Sequence, residues 1–406
     1  MASKIRTSLG GSILLVAVTL ADPTSAADLQ RGFAQAIELN AEIRALAAQR
    51  EILAARRRGS ESLLPGAPSI NPSWRTQVNP QSTGYQEFEI GIEAPLWLPG
   101  EARALRGSVT SQDAQLDARL RQARILVAGE LRDTYWSWSV ALAERDAARA
   151  RLAAARNLER DVARQAAGGQ VPRTDLLLAQ ADLREAEAGL RSAEGAARDA
   201  ALAFRALTGQ DPTPGPPERP AATPPPGIGF RDLPQAALTR ANLDLARAEE
   251  RLATMRDRAN PTLFAGWRRE RDSFGEQWRD RPIIGIRIPF SYAPQVEERV
   301  ATARAEATAA EASLATLARG FEAADRRSRA QREDAEALTG LTEQRHRALA
   351  EQAGLIETAY RAGNVPFIEL VRARAQLAQA DAARRRTRVE RDRAASTINQ
   401  ILGIEP

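Results

Sequence analysis

Hydrophobic and polar positions along this chain follow two periods. Over residues 101–167 and 295–362, apolar residues recur at helical spacing, without proline and with little glycine. These stretches predict helices of roughly 67 residues, rods of about 100 Å at 1.5 Å per residue. A further helix follows each, over 173–208 and 367–402. In the first of these, Leu176, Leu183, Leu190, Ala197 and Phe204 are seven apart, with Ala179, Ala186, Ala193 and Ala200 between them. That spacing predicts a seam for a partner helix. The second keeps Leu370, Leu377 and Ile398, but Arg384 and Arg391 interrupt it. A shorter helix opens each half, Leu29 to about Arg58 and Leu233 to about Arg258.

Two intervening regions, about 69–97 and 262–290, alternate with period two. Ile70, Pro72, Trp74, Thr76 and Val78 share one parity, and Phe88, Ile90, Ile92 and Ala94 oppose Glu87, Glu89, Gly91 and Glu93. Ile284, Ile286, Ile288 and Phe290 oppose Gly285 and Arg287. Leu263, Ala265 and Trp267 begin the same pattern, which Arg269 is expected to end early. Each half thus offers a hairpin of two strands, roughly ten residues long, with one apolar and one charged face. This fits a transmembrane barrel with lipid outside and water inside. It also fits a half-buried hairpin packed on helices. Four strands cannot close a membrane barrel, since the smallest need about eight, so a barrel would take several copies of the chain.

The halves are related. Ile90-Gly91-Ile92 and Ile284-Gly285-Ile286 lie 194 residues apart, as do Gly169 and Gly363, Pro172 and Pro366, and Asp175 and Glu369. The chain reads as a two-fold internal repeat, 27–212 and 231–406, joined by a Pro/Gly-rich linker, 213–230. Between the helices of each half sits a turn, about 168–172 and 363–366. Glycine suits the left-handed position past a helix end, and proline the first turn of the next helix. Each turn therefore joins two long antiparallel helices, and the fold class is mainly α with a small β part.

Charge and composition narrow the function. Basic and acidic residues number 57 and 52, are interspersed, and give a net charge of +5. No basic cluster suggests nucleic acid as a partner. With no cysteine, two methionines and one histidine, His346, the chain offers no thiolate or soft-metal site, and no cofactor is expected. No arrangement of catalytic groups stands out, and an enzyme is not expected. His346 reads as a solvated helix residue. Tyr135, Trp136 and Trp138 read as packing between helices, whereas Trp74 and Trp267 are candidates for a membrane-interface girdle. Lys4 and Arg6 precede the apolar run Ile13 to Ala21, followed by small residues at Thr24-Ser25-Ala26-Ala27. That is the layout of a secretory signal over 1–26. Nothing later is apolar enough for a membrane helix.

The export signal, the repeat, the junctions Ala94-Pro95-Leu96-Trp97-Leu98-Pro99-Gly100 and Ile288-Pro289-Phe290, and the turns Gly169-Gln170-Val171-Pro172 and Gly363-Asn364-Val365-Pro366 together resemble the TolC-type outer membrane efflux protein family. The length and the absence of a lipid-anchor cysteine look more like its heavy-metal, CzcC-like branch. The resemblance implies a homotrimer in outer-membrane lipid, with a 12-stranded β-barrel continued by an α-barrel through the periplasm. It implies a passive efflux or type I secretion duct that works with a periplasmic adaptor protein and an inner-membrane pump. It places Gly169, Gln170, Val171, Pro172, Gly363, Asn364, Val365 and Pro366 at the adaptor contact.

Some members of the family carry acidic rings at the periplasmic entrance. Glu369 holds the first such position and Asp175 is its equivalent in the first half, but the second position is Arg372. A Glu369–Arg372 ion pair at i,i+3 would weaken an acidic mouth. Asp175 and Glu369 read equally as first-turn residues favoured by the helix dipole. The alternative to a duct is a secreted or periplasmic coiled-coil structural or adaptor protein without a membrane barrel.

Overall fold

The computed structural model describes residues 27–77, 84–219 and 230–406. The signal segment 1–26, Val78 and linker residues 220–229 lie outside the described residues. In chain order the elements are α1 (Ala27–Leu39), α2 (Ala41–Ser60), β1 (Ser69–Thr76), β2 (Gln86–Pro95), α3 (Glu101–Ala167), α4 (Arg173–Thr208), a short 3-10 turn (Phe230–Asp232), α5 (Pro234–Met255), β3 (Thr262–Arg271), β4 (Arg279–Arg287), α6 (Ala293–Arg361) and α7 (Phe367–Ile401). Among the described residues no helix is long and apolar enough to cross a membrane.

The opening helix is not continuous. It breaks at Asn40, which takes an extended conformation (φ −68°, ψ 118°) and whose side-chain oxygen accepts the Ile43 N–H at 2.9 Å. A short polar side chain that satisfies a helix N-terminus competes with continuing the helix through it. The alanine-rich periodicity on both sides hid this break.

The long helices α3 and α6 have 67 and 69 residues, about 100 Å each. α4 packs on α3 and α7 on α6, while α5 bridges α3 and α6. Along α4 the predicted seam holds: Ala179, Ala186, Ala197 and Phe204 are buried, and Leu183 and Leu190 join Leu152, Ala155 and Ala186 in one apolar cluster. Along α7 the seam differs from the leucine spacing. Its buried positions are Ala373, Ala380 and Thr387, seven apart, with Leu370 and Ile398 near the ends. Thr387 meets α6 through polar contacts, its Oγ1 lying 2.9 Å from Thr342 Oγ1 and its carbonyl accepting Thr339 Oγ1 at 3.2 Å. Arg384 does not break the helix pair, because Asp381 takes its charge at 2.6 Å. Small residues let the helix backbones approach, and arginine keeps its head at the rim.

The main core sits midway along α3. Leu131 and Ala128 are fully buried with Tyr135, Trp136, Trp138, Phe33 and Phe204. Below it lies a charged clamp. Arg132, 3% exposed, binds both carboxylate oxygens of Glu218 at 2.8 and 2.9 Å, Gln400 at 2.6 Å and the Ile404 carbonyl at 2.9 Å. One side chain thus ties the start of the linker, α7 and the C-terminal residues to α3.

The four strands form one antiparallel sheet in the order β1-β2-β3-β4. β3 runs on through Arg269 to Arg271, beyond the expected break, because Arg269 faces Asp280 across the β3–β4 pair at 3.6 Å and rests on Trp278. At the foot of the sheet Glu101, 2% exposed, receives Arg256 at 2.8 Å and Asn260 at 2.7 Å, and the Leu96 N–H donates to the Pro261 carbonyl at 2.7 Å. That joint fixes the sheet on the ends of α3 and α5. Replacing Leu131 with alanine should cost about 2–5 kcal/mol, the range for emptying a fully buried leucine site. Thermal or denaturant unfolding, read by far-ultraviolet circular dichroism, would measure the loss.

Candidate functional site

Two places carry the chemistry that the sequence singled out: the faces of the sheet and the two helix-joining turns.

The register puts like with like across the strands. Ile70 lies opposite Ile92, Trp74 opposite Phe88, Ile90 opposite Trp267, Ala94 opposite Leu263, and Leu263 opposite Ile286. All share one face. No helix among the described residues covers it: Ile284 is 79% exposed, Trp74 70% and Trp267 49%. The half-buried-hairpin reading fails here, since the apolar face points away from the rest of the chain. Trp74 and Trp267 both lie toward the hairpin-loop end of this face. The sequence reading missed Trp278 and Phe274 at the same end, and Tyr292 at the helix end, where it is exposed beside Phe290, which the alternation had placed on the apolar parity. Trp278 and Phe274 fall in and beside a turn, where no period marks them.

The opposite face is a lattice of paired charges. Arg75 meets Glu87 at 3.1 Å, Arg268 meets Glu89 at 2.8 Å, Arg281 meets Glu270 at 3.1 Å and Arg287 meets Glu93 at 3.5 Å. Across the strands, charges of opposite sign stabilise the register. Phe264 also lies on this face and covers the sheet glycines. A Cβ on Gly91 would stand 2.2 Å from the Phe264 ring, and one on Gly266 would stand 2.7 Å from the Ile90 carbonyl.

The two turns have one geometry. Gly169 (φ 69°) and Gly363 (φ 75°) take the left-handed conformation. The Gln170 N–H returns to the Gln165 carbonyl at 2.9 Å, and the Asn364 N–H to the Ala359 carbonyl at 2.9 Å. This six-to-one closure ends each helix on a glycine. Pro172 (ψ 153°) and Pro366 (ψ 154°) then cap the next helix from outside. They stand one residue before the first helical turn, not within it. An extended residue there reverses the chain while its carbonyl still accepts the first helical hydrogen bond.

The turns lie side by side. Leu158, Val162, Ala179, Phe367 and Leu370 form a shared cluster to which Val171, Leu176 and Tyr360 contribute. The Tyr360 hydroxyl donates to Gln165 Oε1 at 3.3 Å, joining the end of α6 to the end of α3. Burial, and the nearby Asp175 carboxylate, push the Tyr360 phenol above its ordinary pKa. Gly169, Gln170, Pro172, Gly363, Asn364 and Pro366 are exposed, whereas Val171 and Val365 are half-buried. The valines brace the turns from inside and leave the glycine, amide and proline outermost. Glu369 and Arg372 form the expected ion pair, at 2.8 Å. Both are well solvated, so the pair is worth about 0–1 kcal/mol. His346 is half-buried between α6 and α7, 3.6 Å from Asp381, rather than freely solvated. Among the described residues no cluster of His, Cys, Asp or Glu could hold a metal ion.

No protein-family model matches the chain, and no curated protein matches it. Solved structures do. A structure of CusC, a study of conformational changes accompanying folding and transmembrane channel formation, matches with a TM-score of 0.77 and 15% identity over 93% of this chain and 92% of that one. The Campylobacter jejuni CmeC outer membrane channel matches at 0.73 with 15% identity, over 92% and 85% of the two chains. The outer-membrane channel OprN matches at 0.71 with 20% identity, over 92% and 89%. The fold of this chain is theirs. At such identities the likeness fixes the path of the backbone and leaves the side chains to be judged on their own.

No atom lies within 4 Å of a Cβ built on Gly363. Gly363→Val should therefore cost only the backbone strain of a left-handed β-branched residue, about 1–2 kcal/mol. The same substitution at Gly354, inside α6 and equally open, should be neutral or stabilise by a few tenths of a kcal/mol, since valine is a better helix former than glycine. Comparison of the two midpoints of thermal unfolding checks this.

Proposed function

We propose that this chain is the outer-membrane component of an efflux system and forms a passive duct from the periplasm to the outside. The observation that carries the reading is the uncovered apolar face of a four-stranded sheet whose outer strands, β1 and β4, have no neighbour among the described residues. In lipid every backbone N–H and C=O must find a partner within the protein, so a sheet there must close on itself. Four strands of 8 to 10 residues have the length to cross a bilayer at a tilt but not the number to close. Copies of the chain, joined β4 to β1, supply the missing edges. Three copies give the twelve strands that the TolC-type resemblance implies. The apolar face then meets lipid, and the paired charges line a watery lumen.

The helices fit the same assembly. α3 and α6 run from the sheet to the paired turns, with α4 and α7 packed along the half nearer the turns, so the turns lie roughly 100 Å from the membrane. At that distance, in the periplasm, Gly169, Gln170, Pro172, Gly363, Asn364 and Pro366 are the groups an adaptor protein would meet. Val171 and Val365 support that contact from beneath. Asp175 and Glu369 stand just inside the mouth. With Arg372 on Glu369, the entrance is not strongly acidic, and transport follows from a wide polar passage, with the energy supplied by an inner-membrane pump. The coiled-coil adaptor alternative leaves the exposed isoleucines and tryptophans of the sheet without a purpose.

Detergent extraction and a mass measurement test the reading. A trimer that forms water-filled pores in planar bilayers is the expected outcome, and a water-soluble monomer would sink it. Gly363→Arg should leave trimers in the membrane and abolish export in cells that carry the matching pump and adaptor. Undiminished export in that variant would show that the adaptor does not dock at the turn.

A further inference from the structure

The apolar face of the sheet does not end in plain water-loving side chains. At its loop end, in line with Trp267, stand Arg269 and Arg271, two arginines on the parity that faces lipid. Arg269 has Asp280 at 3.6 Å, and Asp280 also accepts the Trp267 indole N–H at 3.1 Å. Arg271 has no such partner among the described residues. Its guanidinium lies 5.0 Å from the Trp278 ring centre and 6.0 Å from that of Phe274, and its Nε is buried without a hydrogen bond among the described residues. The aromatic seat is itself fixed. Gly84, at φ 92°, comes so close to Phe274 that a Cβ there would stand 2.5 Å from the ring.

An arginine on a lipid-facing strand position costs about 2–4 kcal/mol at the bilayer midplane and about 0–1 near the interface. Arg271 therefore sits at headgroup level. There, a guanidinium beside two aromatic rings presents a fork of donors, which matches a phosphate group two oxygens at a time. Below it, the surface continues as Trp267, Ile90 and Ile284, which suits acyl chains. Free inorganic phosphate would use the fork but not the apolar surface beneath it.

We propose that Arg271, seated between Phe274 and Trp278, is a binding site for the phosphate of an anionic phospholipid-type headgroup in the outer leaflet. The site rests on the membrane-embedded reading of the sheet given above. One lipid per chain docks with its phosphate on Arg271 and its chains along the apolar face. Arg269 stays committed to Asp280 and shapes the flank of the site. The bound lipid neutralises a cation that has no ion-pair partner among the described residues, and so anchors the loop end of the sheet at a fixed depth.

Native mass spectrometry of the detergent-extracted protein, with phosphatidylglycerol, phosphatidylcholine or inorganic phosphate added, tests the site. Phosphatidylglycerol should be retained about tenfold over phosphatidylcholine, whose choline cation offsets the phosphate charge and is repelled by Arg271 and Arg269. Inorganic phosphate should not compete at equal concentration. Arg271→Gln should remove the preference, while Arg279→Gln, which alters an arginine paired with Asp272 on the opposite face, should keep it. Pore formation by each variant in planar bilayers confirms that the sheet is still assembled. If wild-type protein forms pores but retains both lipids equally, or if Arg271→Gln keeps the preference, the lipid site is overturned and the duct stands. Competition by inorganic phosphate would overturn the lipid in favour of a simple anion site. Protein that neither enters detergent micelles nor forms pores would overturn both.

Discussion

Backbone hydrogen bonding at the two outer strands governs this molecule. β1 and β4 each carry one edge that no strand among the described residues pairs, and the sheet between them is apolar on the side away from its helices. In water, such a sheet would be a template for aggregation. In a bilayer it has to be completed by strands of the same kind. The other features of the chain follow from holding that sheet in the right place. Glu101 fastens its foot to α3 and α5, and the charge pairs on its polar face hold the strands in register.

The helices answer a related problem at a different scale. Rods of about 100 Å are unstable alone and need a partner along their whole length. Toward the turns α3 finds it in α4, and α6 in α7, through seams built from alanine, leucine and threonine; toward the sheet α5 packs on both and α2 on α3. The narrow seams bury little per turn, which leaves Leu338, Leu341 and Leu355 on α6 exposed. Aromatic packing is concentrated at one level, around Leu131, where Arg132 and Glu218 also cross-link the chain's two halves. Removing one partner of such a buried pair strands the other charge, so the clamp specifies the arrangement more than it strengthens it.

At the far end, glycine and proline make two turns of one shape, and the valine between them anchors each turn. The result is a pair of blunt, exposed corners with a solid apolar base. The same logic appears on the sheet, where Phe264 covers glycines that a side chain of any size would disturb. At the turns glycine provides the left-handed conformation and on the sheet it provides close approach.

Much of this was legible in the sequence, because it depends on local chemistry. The two periods, the glycine-proline turns and the alternation of Ile90, Ile92, Ile284 and Ile286 with charge fix the elements wherever the chain ends up. The Glu369–Arg372 pair followed from helical spacing alone. Tertiary structure decided what local chemistry leaves open. Asn40 stopped a helix that its neighbours would have continued. Arg269 stayed in a strand because Asp280 and Trp278, distant in the reading frame of the pattern, met it across the sheet. Thr387 took a seam position that leucine spacing had assigned elsewhere, since polar partners on α6 were at hand. Above all, only the fold could show that the apolar face of the sheet is uncovered. Alternation says that a strand has two faces, but which of them is buried depends on what lies opposite, and that is set by contacts between residues far apart in the chain.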